Sequence, residues 1–230
     1  GGKTGINCSH GKNLVGVFHQ PDLVIADTDT LNSLSRREFA AGYAEVAKYG
    51  LIDDAAFFAW LEANWQAIFE GGPERPEAIA HSCRAKARVV AADEREGEAG
   101  VRALLNLGHT SGHALEGFCK YDAERLVHGE GVSIGMVLAH KFSNRMNLAS
   151  QEDAARVANH MKVVGLPAHL SEIPGEAPNA EELMDFIAQD KKVSRGALTF
   201  ILTRGIGQSF LSKDVPPSEV ASFLNDELTP

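Results

Sequence analysis

Three of the nine histidines of this chain fall in one stretch, LLNLGHTSGHALEGFCKYDAERLVHGE, from Leu104 to Glu130, and each stands beside a glycine. His109 and His113 are four apart, so a helix would stack their rings one turn above the other on the same face. His128 follows a polar interval and opens the apolar run GVSIGMVLA, which puts it at or just before a helix start. Three neutral imidazoles converging from two helices suit zinc or a similar divalent ion, although no HExxH pattern is present. Spacing leaves a second reading open, in which these are helix-end histidines that satisfy backbone groups. Arg102, Asn106, His109 and His113 also form a polar ladder along one side of a segment otherwise made of Ala, Leu and Gly. A buried polar ladder is costly unless something binds it, and that favours the functional reading.

Two further groups have chemical potential. Glu45 and Lys48 are three apart on a predicted helix and therefore neighbours, which by itself is an ion pair contributing a few tenths of a kcal/mol. Residues 1–13 hold four glycines with Lys3, Lys12 and Asn13, a composition that lets backbone amides and ammonium groups approach an anion. GGKTG is not a P-loop, and a surface turn with two solvated lysines fits it equally well.

The elements that must position these residues are mostly helical. Ser35 and Glu38 form a capping box for a helix to Tyr49, ended by Gly50. Asp53 or Asp54 starts a second helix through FFAWLEANWQAIF, stopped by Gly71, Gly72 and Pro73. Pro76 opens a third, with Ile79, Cys83, Ala87 and Val90 inward and Lys86 among Arg84 and Arg88. The helix from about Gly131 to Leu148 is apolar nearly all round in its first half and should be central. Ser150 and Asn179 cap two more, and Pro216-Pro217-Ser218 starts a closing helix. Strand signals are confined to Leu23–Ala26, read as a short buried strand, and to a single hairpin over residues 197–212 turning at Arg204-Gly205.

With 44% hydrophobic and 23% charged residues, the composition is that of a folded protein. No apolar run approaches the roughly 18–20 residues of a bilayer span, and the N-terminus lacks a signal-peptide apolar region. A cytoplasmic protein is expected. Three cysteines without a CxxC fit a reducing compartment and a role as buried apolar filler. A net charge of −9 disfavours nucleic acid and anionic membranes as partners, while a local cluster of cations could still hold a small anion. The glycine-rich start, with no strand before it, reads as the interior of a longer polypeptide.

Taken together, GGKTG, GKNLVG, DTDTL, AGYAEVAKYG, the interval from Arg102 through LLNLGHTSGHALE, HGEGVSIGM and DKKVSRGAL make the chain resemble the 3-dehydroquinate synthases. The resemblance implies a mainly α fold: a helical C-terminal metal- and substrate-binding domain over residues 34–230 with one short β-hairpin. Residues 1–33 would be the tail of an N-terminal α/β NAD-binding domain. It implies Glu45, His109 and His128 as ligands of Zn2+ or Co2+, which moves His113 from ligand to substrate-phosphate contact. Lys3, Asn13, Lys48 and Asn106 match other phosphate or substrate contacts. Lys86, Arg102 and one of Lys191 or Lys192 match groups around a carboxylate and hydroxyls. Lys3, Lys12 and the run Thr30, Leu31, Asn32 and Ser33 match NAD contacts. The implied reaction converts 3-deoxy-D-arabino-heptulosonate 7-phosphate to 3-dehydroquinate by transient oxidation, phosphate elimination, reduction and aldol closure, in a homodimer. Ser111, Ala47 and Gly131 depart from the residues common in the family (an aromatic, Ile and Ala), none of them a proposed ligand.

Overall fold

Helix α1, Arg36–Asp53, starts where its sequence dictates: the Ser35 side chain accepts from the Glu38 backbone N–H, and the Glu38 carboxylate accepts from the Ser35 N–H at 3.0 Å. The same logic sets α2, Ala55–Glu70, whose first turn Asp54 caps by accepting from Phe57 N at 2.9 Å, and whose end is Gly71 in the left-handed region. The remaining helices are α3 (Glu74–Ala92), α4 (His109–Phe118), α5 (His128–Arg145), α6 (Gln151–Val163), α7 (Ala180–Asp190) and α8 (Pro217–Leu228). Ser150 and Asn179 cap α6 and α7 as expected. This computed structural model describes residues 2, 4–8, 11–17, 19–93, 100–190 and 198–229.

Four strands make two antiparallel ladders among the described residues. β3 (Leu198–Thr203) and β4 (Ser209–Val215) are the expected hairpin, in register from Phe200 opposite Ser212 to Thr203 opposite Ser209. β1 (Ile6–Cys8) and β2 (Gly11–Val15) form a second hairpin that the sequence reading did not anticipate. Leu23–Ala26 is not a strand. Leu23, Val24 and Ile25 are 74%, 75% and 84% exposed, because no neighbouring strand among the described residues offers this run a ladder.

Helix α5 is the axis of the molecule, as its all-round apolar sequence predicts. Val132, Met136 and Val137 face a core shared with α1, α2 and α6, while Ile134, Leu138 and Phe142 face a second core built with α4, α7, α8 and the β3–β4 hairpin. Four expectations fail in register. Gly50 does not end α1 but lies inside it, where a Cβ would stand 2.8 Å from Phe58 N, so the glycine serves the contact with α2. Helix α3 opens at Glu74, with Pro76 inside its first turn, where a missing N–H costs nothing. Its inward face is Ala78, Ser82, Ala85 and Val90; Cys83 and Ala87 are exposed, because the small residues one step around the helix allow closer approach to α1 and α2. Cys119 alone of the described cysteine side chains is the buried filler expected. The ladder from Arg102 to His113 is not one helix either. A 3-10 helix, Val101–Asn106, ends at Leu107, and Gly108 at φ +81° turns the chain into α4.

The first core encloses an ionisable pair, His160 and Tyr43. His160 is 2% exposed, with Nε2 at 2.9 Å from the Tyr43 hydroxyl. Burial, reinforced by Arg156 against the opposing charge of Glu62, pushes its pKa down to about 4. The unfolded chain takes up this proton near pH 6.5 and the folded chain only near pH 4, so stability is lost as pH falls through that window. At 1.36 kcal/mol per pKa unit the loss is roughly 3 kcal/mol. Urea unfolding at pH 7 and pH 4 should show a fall of that size beyond any in His160→Gln; parallel falls in parent and variant would refute the assignment.

Candidate metal centre

Two close backbone approaches bring the candidate ligands together. At the start of α5, a Cβ on Gly129 would stand 2.0 Å from the carbonyl oxygen of Ala41, so α5 touches α1 one turn before Glu45. Farther along, a Cβ on Gly135 would stand 1.9 Å from Gly108 O, and one on Gly112 would stand 3.1 Å from Gly131 O, so α5 also lies against α4. His128 is the first residue of α5 and His109 the first of α4. Arg37 fixes the same junction by a bidentate ion pair from α1 to Glu130, at 2.7 and 2.8 Å, while Glu130 accepts from Val127 N at 3.0 Å.

Glu45 Oε1 lies 3.5 Å from His109 Nε2 and 3.6 Å from His128 Nε2. Ligand atoms of these three residues all fall within 4.8 Å of one another, and His113, Glu116 and His128 form a second such trio. Glu45 Oε1 is buried and has no hydrogen-bond partner among the described residues, which is costly for a carboxylate and is relieved by a cation. Its other oxygen accepts from Lys48 Nζ at 2.5 Å.

Each imidazole has its second nitrogen engaged. His109 Nδ1 faces Leu107 O at 3.2 Å; a carbonyl only accepts, so the N–H is on Nδ1 and the Nε2 lone pair faces Glu45. His128 Nδ1 lies 3.1 Å from Glu116 Oε2. One carboxylate and two imidazoles, with positions left for other oxygens, are the donor set of a catalytic zinc or cobalt site. The residues fit a divalent cation.

The charges are strongly coupled. Burial would raise the Glu45 carboxyl, but His128 and the Lys48 charge outweigh it and hold it at about 2. His109 is pushed down to about 4 by burial and by Lys48, against the pull of Glu45. His128, between Glu116 and Glu45, is pushed up to about 9 against its own burial. Lys48, with 4% of its side chain exposed, is lowered by burial, partly offset by Glu45, and the charge of Lys86 lowers it further.

Around this centre, His113 has its ring centroid 5.3 Å from His109 and 6.0 Å from His128. Lys86 is exposed on α3, close enough to influence Lys48, and Arg102 is buried in the 3-10 helix packed on α3. Asn106, three residues before His109, is exposed and borders a narrow cavity with Ser111, Phe142, Phe200 and Phe223. The Thr30 and Ser33 hydroxyls donate to Asp27 O and Thr30 O, both at 2.7 Å, and Asn32 Oδ1 accepts from Arg75 Nη1 at 2.7 Å. Leu31 is half-buried, and the hydroxyls of this turn are engaged within it. Lys3, Lys191 and Lys192 lie outside the described residues, as do the side chains of Lys12 and Asn13. Glu116 and Glu130 were missed in the sequence. Their signal was an acid one turn after His113 and another two residues after His128.

The model of the 3-dehydroquinate synthase C-terminal family matches residues 42–193, and that of the 3-dehydroquinate synthase N-terminal family matches residues 1–41. Over 227 residues the chain is 74% identical to the 3-dehydroquinate synthase of Rhizobium etli (strain CIAT 652), and 71% identical to that of Rhizobium meliloti (strain 1021). Each alignment covers 99% of this chain and 60% of the relative, so the chain spans about three fifths of the length of these curated relatives. Among solved structures, a 2-deoxy-scyllo-inosose synthase complexed with carbaglucose-6-phosphate, NAD+ and Co2+ superposes with a TM-score of 0.80 at 28% identity, over 99% of this chain and 62% of that one. ValA, the 2-epi-5-epi-valiolone synthase of Streptomyces hygroscopicus subsp. jinggangensis 5008 with NAD+ and Zn2+ bound, shares the fold at a TM-score of 0.82 and 24% identity, over 97% of this chain and 60% of that one. No helix among the described residues is long and apolar enough to cross a membrane. Matched along residues 1–193 by the two models of one family, and closely similar to its curated members, the chain belongs to the 3-dehydroquinate synthases.

Proposed function

We propose that the chain is the metal- and substrate-binding part of a cytoplasmic, homodimeric carbon–oxygen lyase of the shikimate pathway. Its reaction would convert 3-deoxy-D-arabino-heptulosonate 7-phosphate to 3-dehydroquinate and phosphate. The observation that carries this reading is the buried, unpartnered Glu45 Oε1 facing two imidazole Nε2 atoms, with Lys48 on its other oxygen. Family membership and the identity to relatives named 3-dehydroquinate synthase support the reaction and its substrate.

In this reading Glu45, His109 and His128 hold zinc or cobalt, and residues 34–230 form the helical domain while residues 1–33 belong to the cofactor domain. When bound, the divalent cation acidifies a coordinated hydroxyl and NAD takes up and returns a hydride. The chain's own residues bind and orient. A substrate with both phosphate and carboxylate needs several fixed cations in an otherwise acidic protein. Lys86, whose charge reaches Lys48, would take the carboxylate together with Arg102 and one of Lys191 or Lys192. Lys48 balances the charge of Glu45 where hydroxyls enter. His113, one turn along α4 from His109, meets the phosphate and moves a proton as it leaves. Lys3, Asn13 and Asn106 complete the phosphate contacts, and Lys3, Lys12 and Thr30 to Ser33 the cofactor contacts. Holding these groups fixed is itself a large part of the rate.

Phosphate release from the heptulosonate phosphate, with NAD and zinc, should be assayed in this chain and in a chain extended to the length of its relatives. Turnover in the extended chain supports the assignment; none in either refutes it. A second reading, a cyclase acting on a sugar phosphate without a carboxylate, has support in the inosose synthase likeness. Glucose 6-phosphate as the preferred substrate would establish it.

A further inference from the structure

Glu116 has no role in the reading above. It lies on α4, one turn beyond His113, in a helix whose other buried residues are Thr110, Gly112, Ala114 and Leu115, with Gly112 against α5. Its own side chain is 8% exposed, and a carboxylate so enclosed needs a charged or donating partner. His128 Nδ1, at 3.1 Å, is one such partner. The distance is set by the helix crossing, where Gly112 and Gly131 allow α4 and α5 to touch. His128 thus stands between two carboxylates, Nδ1 toward Glu116 and Nε2 toward Glu45.

We propose that Glu116 is a positioning residue for the cation: it holds on Nδ1 the one N–H that His128 keeps when it ligates, and so turns the Nε2 lone pair to the ion shared with Glu45 and His109. A carboxylate accepts and cannot donate, so it selects one of the two tautomers and fixes the ring plane. Added negative charge behind the imidazole also makes Nε2 a stronger donor to the metal. His109 has the same arrangement with a weaker partner, the carbonyl of Leu107. The two histidines are therefore unequal ligands, and His128 is the one whose donor strength depends on a side chain that mutation can remove.

This inference rests on the metal reading, and its test separates the two. Zinc affinity is measured by competition with a chromophoric chelator for the parent chain, Glu116→Gln and Glu116→Leu, and the histidine ring nitrogens of the zinc forms are read by two-bond 1H–15N spectra. Glu116→Leu should weaken zinc binding roughly 10–100-fold, with Glu116→Gln between it and the parent, because an amide oxygen still accepts the Nδ1 proton. In the parent, the His128 proton should lie on Nδ1, with Nε2 on the metal. Circular dichroism checks folding, and should Glu116→Leu not fold, Glu116→Gln and the ring spectra decide. Affinity unchanged to within about twofold, or a His128 bound through Nδ1, overturns the role of Glu116 while leaving the metal centre standing. A parent that binds no zinc overturns both.

Discussion

Glu45→Gln and His128→Ala should each leave the chain unable to retain zinc through gel filtration, whereas His113→Ala retains it and loses affinity for inorganic phosphate. Either ligand change should weaken metal binding by well beyond the roughly 100-fold that disturbing an outer partner costs. Glu45→Gln removes the one negative donor of the trio and strands Lys48, whose side chain is only 4% exposed. Breaking a fully enclosed pair costs several kcal/mol; with 36% of the Glu45 side chain still meeting solvent, about 1–2 kcal/mol of stability is the expected loss. Lys48→Met should recover that loss in the double variant without restoring the metal. Elemental analysis discriminates the two possible donor sets sharply. Were the ion held by His113, Glu116 and His128 instead, His113→Ala would lose it and Glu45→Gln would keep it.

Gly129→Ala and Gly135→Ala should be among the most damaging single methyl additions in the chain, at about 3 kcal/mol or more each in urea unfolding. At both positions the new Cβ meets a carbonyl oxygen, 2.0 Å from Ala41 O or 1.9 Å from Gly108 O, and backbone cannot rotate away as a side chain can. The two differ in what else they disturb. Gly129→Ala separates α5 from α1 and so pulls His128 from Glu45, which predicts zinc loss greater than the stability loss alone would give. Gly131→Ala is the control. Its Cβ would stand 3.2 Å from Gly112 O and 3.5 Å from Leu126 Cδ2, and the alanine regains about 1 kcal/mol of helix propensity, so a near-neutral result is expected. Strong destabilisation by Gly131→Ala would mean that the crossing is tighter than its geometry shows.

What could be read in the sequence was mostly local. Ser35 with Glu38, Asp54, Ser150 and Asn179 each carry the chemistry of a helix start, and each caps the helix expected of it. Central α5 was legible because nearly every residue from Gly129 to Leu138 had to be inside. The phase of α3 was not, since Ala, Ser and Cys differ little in apolar surface and only the neighbouring helices decide which stripe faces in. Leu23–Ala26 has the composition of a buried strand, but composition does not supply a pairing partner. At the site, spacing alone brought His109, His113 and His128 together and left open which of them bind. It could not bring in Glu45, since the contact between residues 45, 109 and 128 exists only through the glycine crossings, and glycines have no periodicity to read. Glu116 was hidden for the opposite reason, being one acid on a short helix, where charged residues usually face water.

Because α5 contributes side chains to both cores, neither half of the molecule owns it. Amide hydrogen exchange along Val132–Leu138 should therefore report one common opening rather than two, and the ligand at the head of that rod cannot drift without loosening both sides at once. The geometry presented to the ion inherits its stiffness from the whole interior.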